Sequence, residues 1–132
     1  MFHFYKNLFL CSVISTCFVM NPPKIHELDP EIIKTYTNIP EINNWVEIPK
    51  ETKEITIYVK AKHAETMLFW LVPTGTGTWK ERQLIGYDID GTDGWSVKWN
   101  VSQQMLHHHI SVQALGVTSI SSDSINVYTE YK

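Results

Sequence analysis

Three stretches of this chain hold residue types that can do chemistry. The first is His107-His108-His109. Neighbours in a strand point to opposite faces, so only His107 and His109 would share a side. Two imidazoles hold a metal only with one or two further ligands. No neighbouring Cys and no paired Glu supplies them, so an ordinary strand with a half-buried His108 is expected, and no metal site. The second stretch runs from Asp88 to Gly94, Asp-Ile-Asp-Gly-Thr-Asp-Gly. It has the composition of a calcium loop, which requires glycine at its sixth position and glutamate at its twelfth. Here those positions hold Asp93 and Trp99. Asp-Gly is a preferred hairpin pair, so a turn is the expected reading.

The third stretch, from Pro73 to Arg82, contains Gly75, Gly77, Trp79, Lys80 and Arg82. It lacks the Gly-Lys-Ser ending of a phosphate-binding loop. Long loops on rigid scaffolds often carry function. Trp79 and Arg82, with Trp70 on the strand before them, are therefore the candidate ligand-binding residues. The alternative is a loop folded down on its own sheet. Asn100-Val101-Ser102 fits a glycosylation acceptor, which matters only in a eukaryotic secretory pathway. No nucleophile elbow, metal motif or set carboxylate pair is present. No catalytic residues and no cofactor are expected, and the chain is not expected to be an enzyme.

The elements that must position these residues come from a chain of 132 residues, enough for one ordinary domain. Hydrophobic residues make up 43% and charged residues 19%, which suits a folded globule. The net charge of −3 leaves no basic surplus to neutralise phosphates, so nucleic acid is not an expected partner. Both cysteines, Cys11 and Cys17, precede residue 20. The body of the chain therefore has no internal disulfide, thiolate zinc site or cysteine nucleophile.

Leu8 to Met20 is free of charge, follows Lys6 and stops at Pro22-Pro23. That pattern matches a signal peptide, or a membrane anchor if the flanking aromatics lie in the interface. Residues 1–20 are accordingly expected to form a hydrophobic helix. A branched residue, Ile14, lies three before Cys17. This spacing resembles a lipoprotein processing site and makes Cys17 a candidate for lipid attachment. Residues 21–44 hold four of the six prolines and no glycine, the composition of a stiff linker. Within it, Asp29-Pro30-Glu31 could start a short helix.

From residue 45 the apolar period becomes two. Strands are expected at Trp45–Ile48, Glu54–Lys62, Met67–Val72, Leu84–Asp90, Trp95–Val101, His107–Leu115 and Ser124–Thr129. Alternation assigns Ile55, Ile57, Val59, Phe69, Leu71, Trp99, Ile110, Val112, Ile125 and Val127 to the core. Leu68, Trp70 and Val72 then point outward as an apolar stripe, over which the 73–82 loop is expected to fold so that Trp79 meets Trp70. Seven short strands in about 90 residues indicate an all-β sandwich spanning residues 45–130, with a barrel as its rival. On this reading the fold is complete without residues 1–38.

Met67-Leu-Phe-Trp-Leu, Leu84-Ile-Gly-Tyr-Asp, Trp95-Ser-Val-Lys-Trp, His109-Ile-Ser-Val-Gln-Ala and Ser121-Ser-Asp-Ser-Ile-Asn-Val together resemble a bacterial immunoglobulin-like domain of cell-surface and secreted proteins. The resemblance covers roughly residues 50–128. The ten residues from Pro73 to Arg82 depart from it, because the family joins its third and fourth strands by a tight turn. The resemblance implies a seven-stranded sandwich and an extracellular spacer or adhesion module, with no catalytic residues to carry over. A cell-surface protein or glycan is the implied partner, and the membrane is reached through the N-terminal segment. Five tryptophans and six tyrosines keep a second reading open, a carbohydrate-binding module with exposed stacking aromatics.

Overall fold

A computed structural model describes residues 28–131 of the chain. The expected hydrophobic helix at residues 1–20, and with it Cys17, lies outside the described residues. Eight strands form two sheets packed as a sandwich. They are β1 (Glu31–Thr37), β2 (Trp45–Ile48), β3 (Glu54–Lys62), β4 (Thr66–Pro73), β5 (Gln83–Asp88), β6 (Trp95–Asn100), β7 (His107–Leu115) and β8 (Ile120–Thr129). One sheet has the order β1-β3-β6 and the other β2-β8-β7-β4-β5. Among the described strands no ladder joins β5 to β6, so the sheets do not close into a barrel.

The core forms as alternation requires. All ten residues assigned inward are buried, and Phe69, Ile55, Ile57, Ile110, Val112 and Val127 are fully so. They come from both sheets and meet as one cluster, joined by Val46, Ile48, Met67 and Ala114. Burying a side chain of this size contributes about 1.5–3 kcal/mol, so these contacts dominate the stability.

Four expectations are corrected. The strands number eight rather than seven. The additional one, β1, occupies part of the expected linker, and no helix starts at Asp29. Ile32, Ile33, Thr35, Tyr36 and Thr37 explain this, because β-branched and aromatic side chains lose χ1 freedom in a helix and pack well on a pleated surface. β1 pairs antiparallel with β3 from Glu31↔Lys62 to Thr37↔Ile57, with a bulge between Ile32 and Lys34. Beyond it, Asn38 Oδ1 accepts from Thr56 N–H at 2.9 Å. Residues 31–37 are thus part of the sandwich, and a chain without them would leave one edge of β3 unpaired. Third, the ends of four strands move: β4 gains Thr66 and Pro73, β5 runs from Gln83 to Asp88, β6 stops at Asn100 and β8 begins at Ile120. Fourth, Val72 is buried although alternation points it outward with Trp70, and it stands apart from the core cluster.

The crossover from β1 to β2 turns at Asn43 and Asn44, which have φ of 51° and 66°. Ile42 and Trp45 exchange both backbone hydrogen bonds across this pair, at 2.9 and 3.0 Å. Asn tolerates the left-handed region better than most residues, which fits a primed two-residue turn. The turn delivers β2 to the second sheet, where it runs parallel to β8.

Two buried threonines differ in their bonding. Thr129 Oγ1 accepts from Leu106 N–H at 2.9 Å and donates to Gln104 O at 3.0 Å. Thr35 Oγ1 is buried with no hydrogen-bond partner. Replacing an unsatisfied hydroxyl by a methyl removes a desolvation cost, whereas removing a bonded one strands its partners. Thr35→Val should therefore raise the unfolding free energy by about 1 kcal/mol, and Thr129→Val should lower it by about 1–3 kcal/mol. Urea denaturation of the two variants beside the parent checks the opposite signs.

Candidate functional site

β4 carries Trp70 to the outer face of the five-stranded sheet, since Phe69 and Leu71 on either side point into the core. After Pro73 the chain leaves the sheet and returns through one 3-10 turn, Trp79–Glu81, into β5. Thr78 Oγ1 donates to Pro73 O at 2.7 Å and ties the two ends of this loop together. The Trp79 ring meets that of Trp70 edge to face, with centroids 6.0 Å apart. The loop thus folds back over the face that also bears Val72.

Arg82 joins the two rings. Its guanidinium carbon is 4.9 Å from the Trp70 centroid and 4.6 Å from that of Trp79. Its Nη1 donates to Trp79 O at 3.1 Å, which fixes the planar group against its own turn. On the other side, Trp70 Nε1 donates to Gln113 Oε1 of β7 at 2.9 Å. Each partly exposed cation–π contact contributes about 0.5–1 kcal/mol. The three residues singled out in the sequence, Trp70, Trp79 and Arg82, form one cluster. The two rings are inclined at 65° to each other, and Arg82 lies over both, so they make no flat stacking platform.

Two further residues belong to this surface and were not legible in the sequence. Leu84 lies opposite Trp70, and Tyr87 opposite Leu68. They are 50% and 62% exposed, beside Trp79 at 40%. Three apart in sequence, they cannot share a face under strict alternation. A register shift in the β4–β5 pairing, opposite Phe69 and Trp70, brings them to the same side. The inserted residue is Ile85, which packs against the core. Gly86 beside it lies so close to Val97 that an added Cβ would stand 2.6 Å from Cγ2. That contact holds β5 against β6 of the other sheet.

The histidines do not converge. Thr74 Oγ1 lies 3.0 Å from His107 O and 2.8 Å from His107 Nδ1, which ties the start of the loop to β7. The His107 ring also packs on Trp45, 5.0 Å between centroids. His108 is half-buried, and desolvation together with the neighbouring His107 and His109 lowers its pKa. Among the described residues no group of three or more His, Cys, Asp or Glu is placed to hold a metal ion. In the acidic stretch, Asp88 Oδ1 accepts from Asp90 N–H and Oδ2 from Ser96 N–H. Asp90 Oδ1 accepts from the Thr92 hydroxyl and amide, and these bonds lower its pKa. The carboxylates brace a hairpin. Asn100 is exposed, and its Oδ1 accepts from Ser102 N–H at 2.9 Å. Elsewhere, a cleft of about 350 Å³ opens between β1 and β2, lined by Lys34, Tyr36, Ile39, Val46 and Ile125.

No family model matches the chain, and no curated protein matches it. Solved structures do. The sandwich is similar to a superoxide reductase (neelaredoxin) from Ignicoccus hospitalis T24K, with a TM-score of 0.51 and 9% identity over 81% of this chain and 86% of that one. A structure named FN3tt has a TM-score of 0.41 and 13% identity over 64% of this chain and 87% of its own. The first likeness shows a shared fold and nothing finer. It corrects the expectation that this chain is not an enzyme, because an enzyme has the same architecture and the fold gives no ground for excluding catalysis.

Two outcomes are expected from these contacts. Removing the guanidinium in Arg82→Ala should uncover both indoles, shift the tryptophan emission to longer wavelength and raise its quenching by acrylamide. Arg82→Lys, which lacks the planar group, should restore little of this. The lowered His108 pKa means that the unfolded chain binds a proton more readily than the folded one. Its contribution to stability is then full above the ordinary value of 6.5 and is lost as pH falls through the folded pKa. His108→Gln should flatten the denaturation midpoint on the acidic side of 6.5 relative to the parent.

Proposed function

We propose that this chain is an immunoglobulin-like interaction module, held at the outside of a cell by its N-terminal segment, and that it binds a surface protein through the face around Trp79, Arg82, Leu84 and Tyr87. The immunoglobulin-like reading draws support from the strand order. A three-stranded sheet pairs β1 with β3 and β6, while the chain's second strand crosses over to run parallel to the last. The other sheet places β7 between β8 and β4, and adds β5 outside β4, as variable-type sandwiches add strands to their corresponding sheet. Export rests on the uncharged run from Leu8 to Met20 and the charged residue before it.

One observation carries the binding reading. Aromatic and aliphatic side chains stay exposed around an arginine that is already ordered. Tyr, Trp and Arg dominate the energetics of protein interfaces, and a preordered side chain loses little entropy on association. The carbohydrate reading is weaker at this face, because the two indoles are inclined at 65° and Arg82 lies over one side of each, which leaves no coplanar pair for a sugar ring to stack on.

Beads coated with the full chain should adhere to intact cells of the source organism, and protease treatment of those cells should abolish adhesion. Leu84→Ser combined with Tyr87→Ser should abolish it as well, without lowering the melting temperature. Adhesion that survives protease but is lost on periodate oxidation would move the assignment to a glycan. Full adhesion by the double variant would remove this face from the binding surface.

A further inference from the structure

The two ends of the sandwich differ in character. At one end lie the 73–82 loop, the β2–β3 turn and the β6–β7 connection; at the other lie the first described residues and the β7–β8 turn. The paired strands set this arrangement, since Glu31 is opposite Lys62, Thr66 opposite Leu115, and Leu115 opposite Ile120. The chain enters the fold tightly fastened here. Pro30 is buried against Gly116, where an added Cβ would stand 2.6 Å from the proline Cδ. Ser119 Oγ donates to Asp29 Oδ1 at 2.7 Å. Leu28 is therefore held beside the β7–β8 turn.

Around this point aliphatic side chains face outward. Leu28 is 54% exposed, Val117 71% and Ile120 60%, and Ile89 on the neighbouring β5–β6 loop is 70% exposed. The turn itself, Gly116-Val-Thr-Ser-Ile120, has no charge. Only residues 21–27 separate Leu28 from the uncharged run ending at Met20, and two of them are prolines. Seven residues span at most about 25 Å when fully extended. A stretch from 21 to 44 could hold a domain well off a surface, but β1 takes residues 31–37 of it into the sandwich, and Asp29 and Pro30 are fastened to the β7–β8 turn.

We infer that the end bearing Leu28, Val117 and Ile120 rests on the membrane interface, with the Trp79–Arg82 surface directed away from it. It rests on the proposed anchoring of residues 8–20. The partner is the apolar and zwitterionic zone of a lipid bilayer. The uncharged turn gives no attraction to anionic headgroups, and at this end the exposed Glu31, Glu65 and Asp90 outnumber the exposed Lys62. Exposed aliphatics set among hydroxyl side chains suit that zone, where apolar area can be buried while Thr118 and Ser119 stay hydrated. The strands of β7 and β8 set the loop bearing Trp79 and Arg82 about 25–30 Å further out, and the binding face runs back from it along β5 to Tyr87.

The full chain, reconstituted with phosphatidylcholine vesicles, tests this by hydrogen exchange. Exchange over 116–120 should slow several-fold relative to the chain without vesicles, while the turn at 49–53 and the connection at 101–105, at the far end, stay unchanged. Val117→Ser with Ile120→Ser should restore fast exchange while the chain still co-sediments with the vesicles. Added phosphatidylserine should not increase the protection. Co-sedimentation with unaltered exchange at 116–120 would overturn the inference and leave the anchoring intact. No co-sedimentation would overturn both. Equal protection without vesicles would assign the turn to contact between copies of the chain, and protection that requires phosphatidylserine would overturn the recognition argued above.

Discussion

The packing of two inward faces against each other holds this protein together. Ile55, Ile57 and Val59 of β3 and Trp99 of β6 come from the three-stranded sheet. Met67, Phe69, Ile110, Val112 and Val127 come from the five-stranded one. Each strand must present every second residue to this layer, and a slip by one residue would turn the whole set outward. With no cysteine in the described residues, no cross-link assists. The short strand β2 depends on the same layer, since Val46 and Ile48 reach it while Trp45 and Glu47 face out.

Once the inward set is spent, the outer face of the five-stranded sheet has to manage what remains. β4 alternates apolar residues on both sides, so Leu68, Trp70 and Val72 need cover that water does not supply. The 73–82 loop covers part of this stripe, and Arg82 lets it do so without building a second core. A guanidinium set against two touching indoles keeps its charge partly solvated while it covers apolar ring surface. The result is a surface that is ordered before any partner arrives. The same residues that protect Trp70 leave Trp79, Leu84 and Tyr87 available at its rim.

Polarity along the long axis follows from how the chain enters. Pro30 on Gly116 and Asp29 on Ser119 fasten the start of β1 to the β7–β8 turn, so residue 28 lies at that end. The loop bearing Trp79 and Arg82 lies at the opposite end because β4 runs the full height of the sheet before it turns. The first described residues and the loop bearing Trp79 and Arg82 are thus separated by the length of a strand.

Much of the sandwich was legible in the sequence, because alternation is a local property. The strands from Trp45 to Leu115 and the ten core residues follow from the side on which each side chain must fall. Even the return of Trp79 to Trp70 follows from an outward apolar stripe that needed cover. Three features depended on contacts between distant segments. β1 is a strand because β3 offers it an unpaired edge; Asp29-Pro30-Glu31 alone reads equally as the start of a helix. Leu84 and Tyr87 share a face because β5 bulges at Ile85 against β4, and a bulge is a property of two paired backbones rather than of one sequence. Trp70 and Trp79 each have one side covered because Arg82, twelve residues beyond the first and three beyond the second, folds against both. Residue type and spacing determined which side chains could meet; only the paired backbones of the folded chain decided which of their surfaces stayed open.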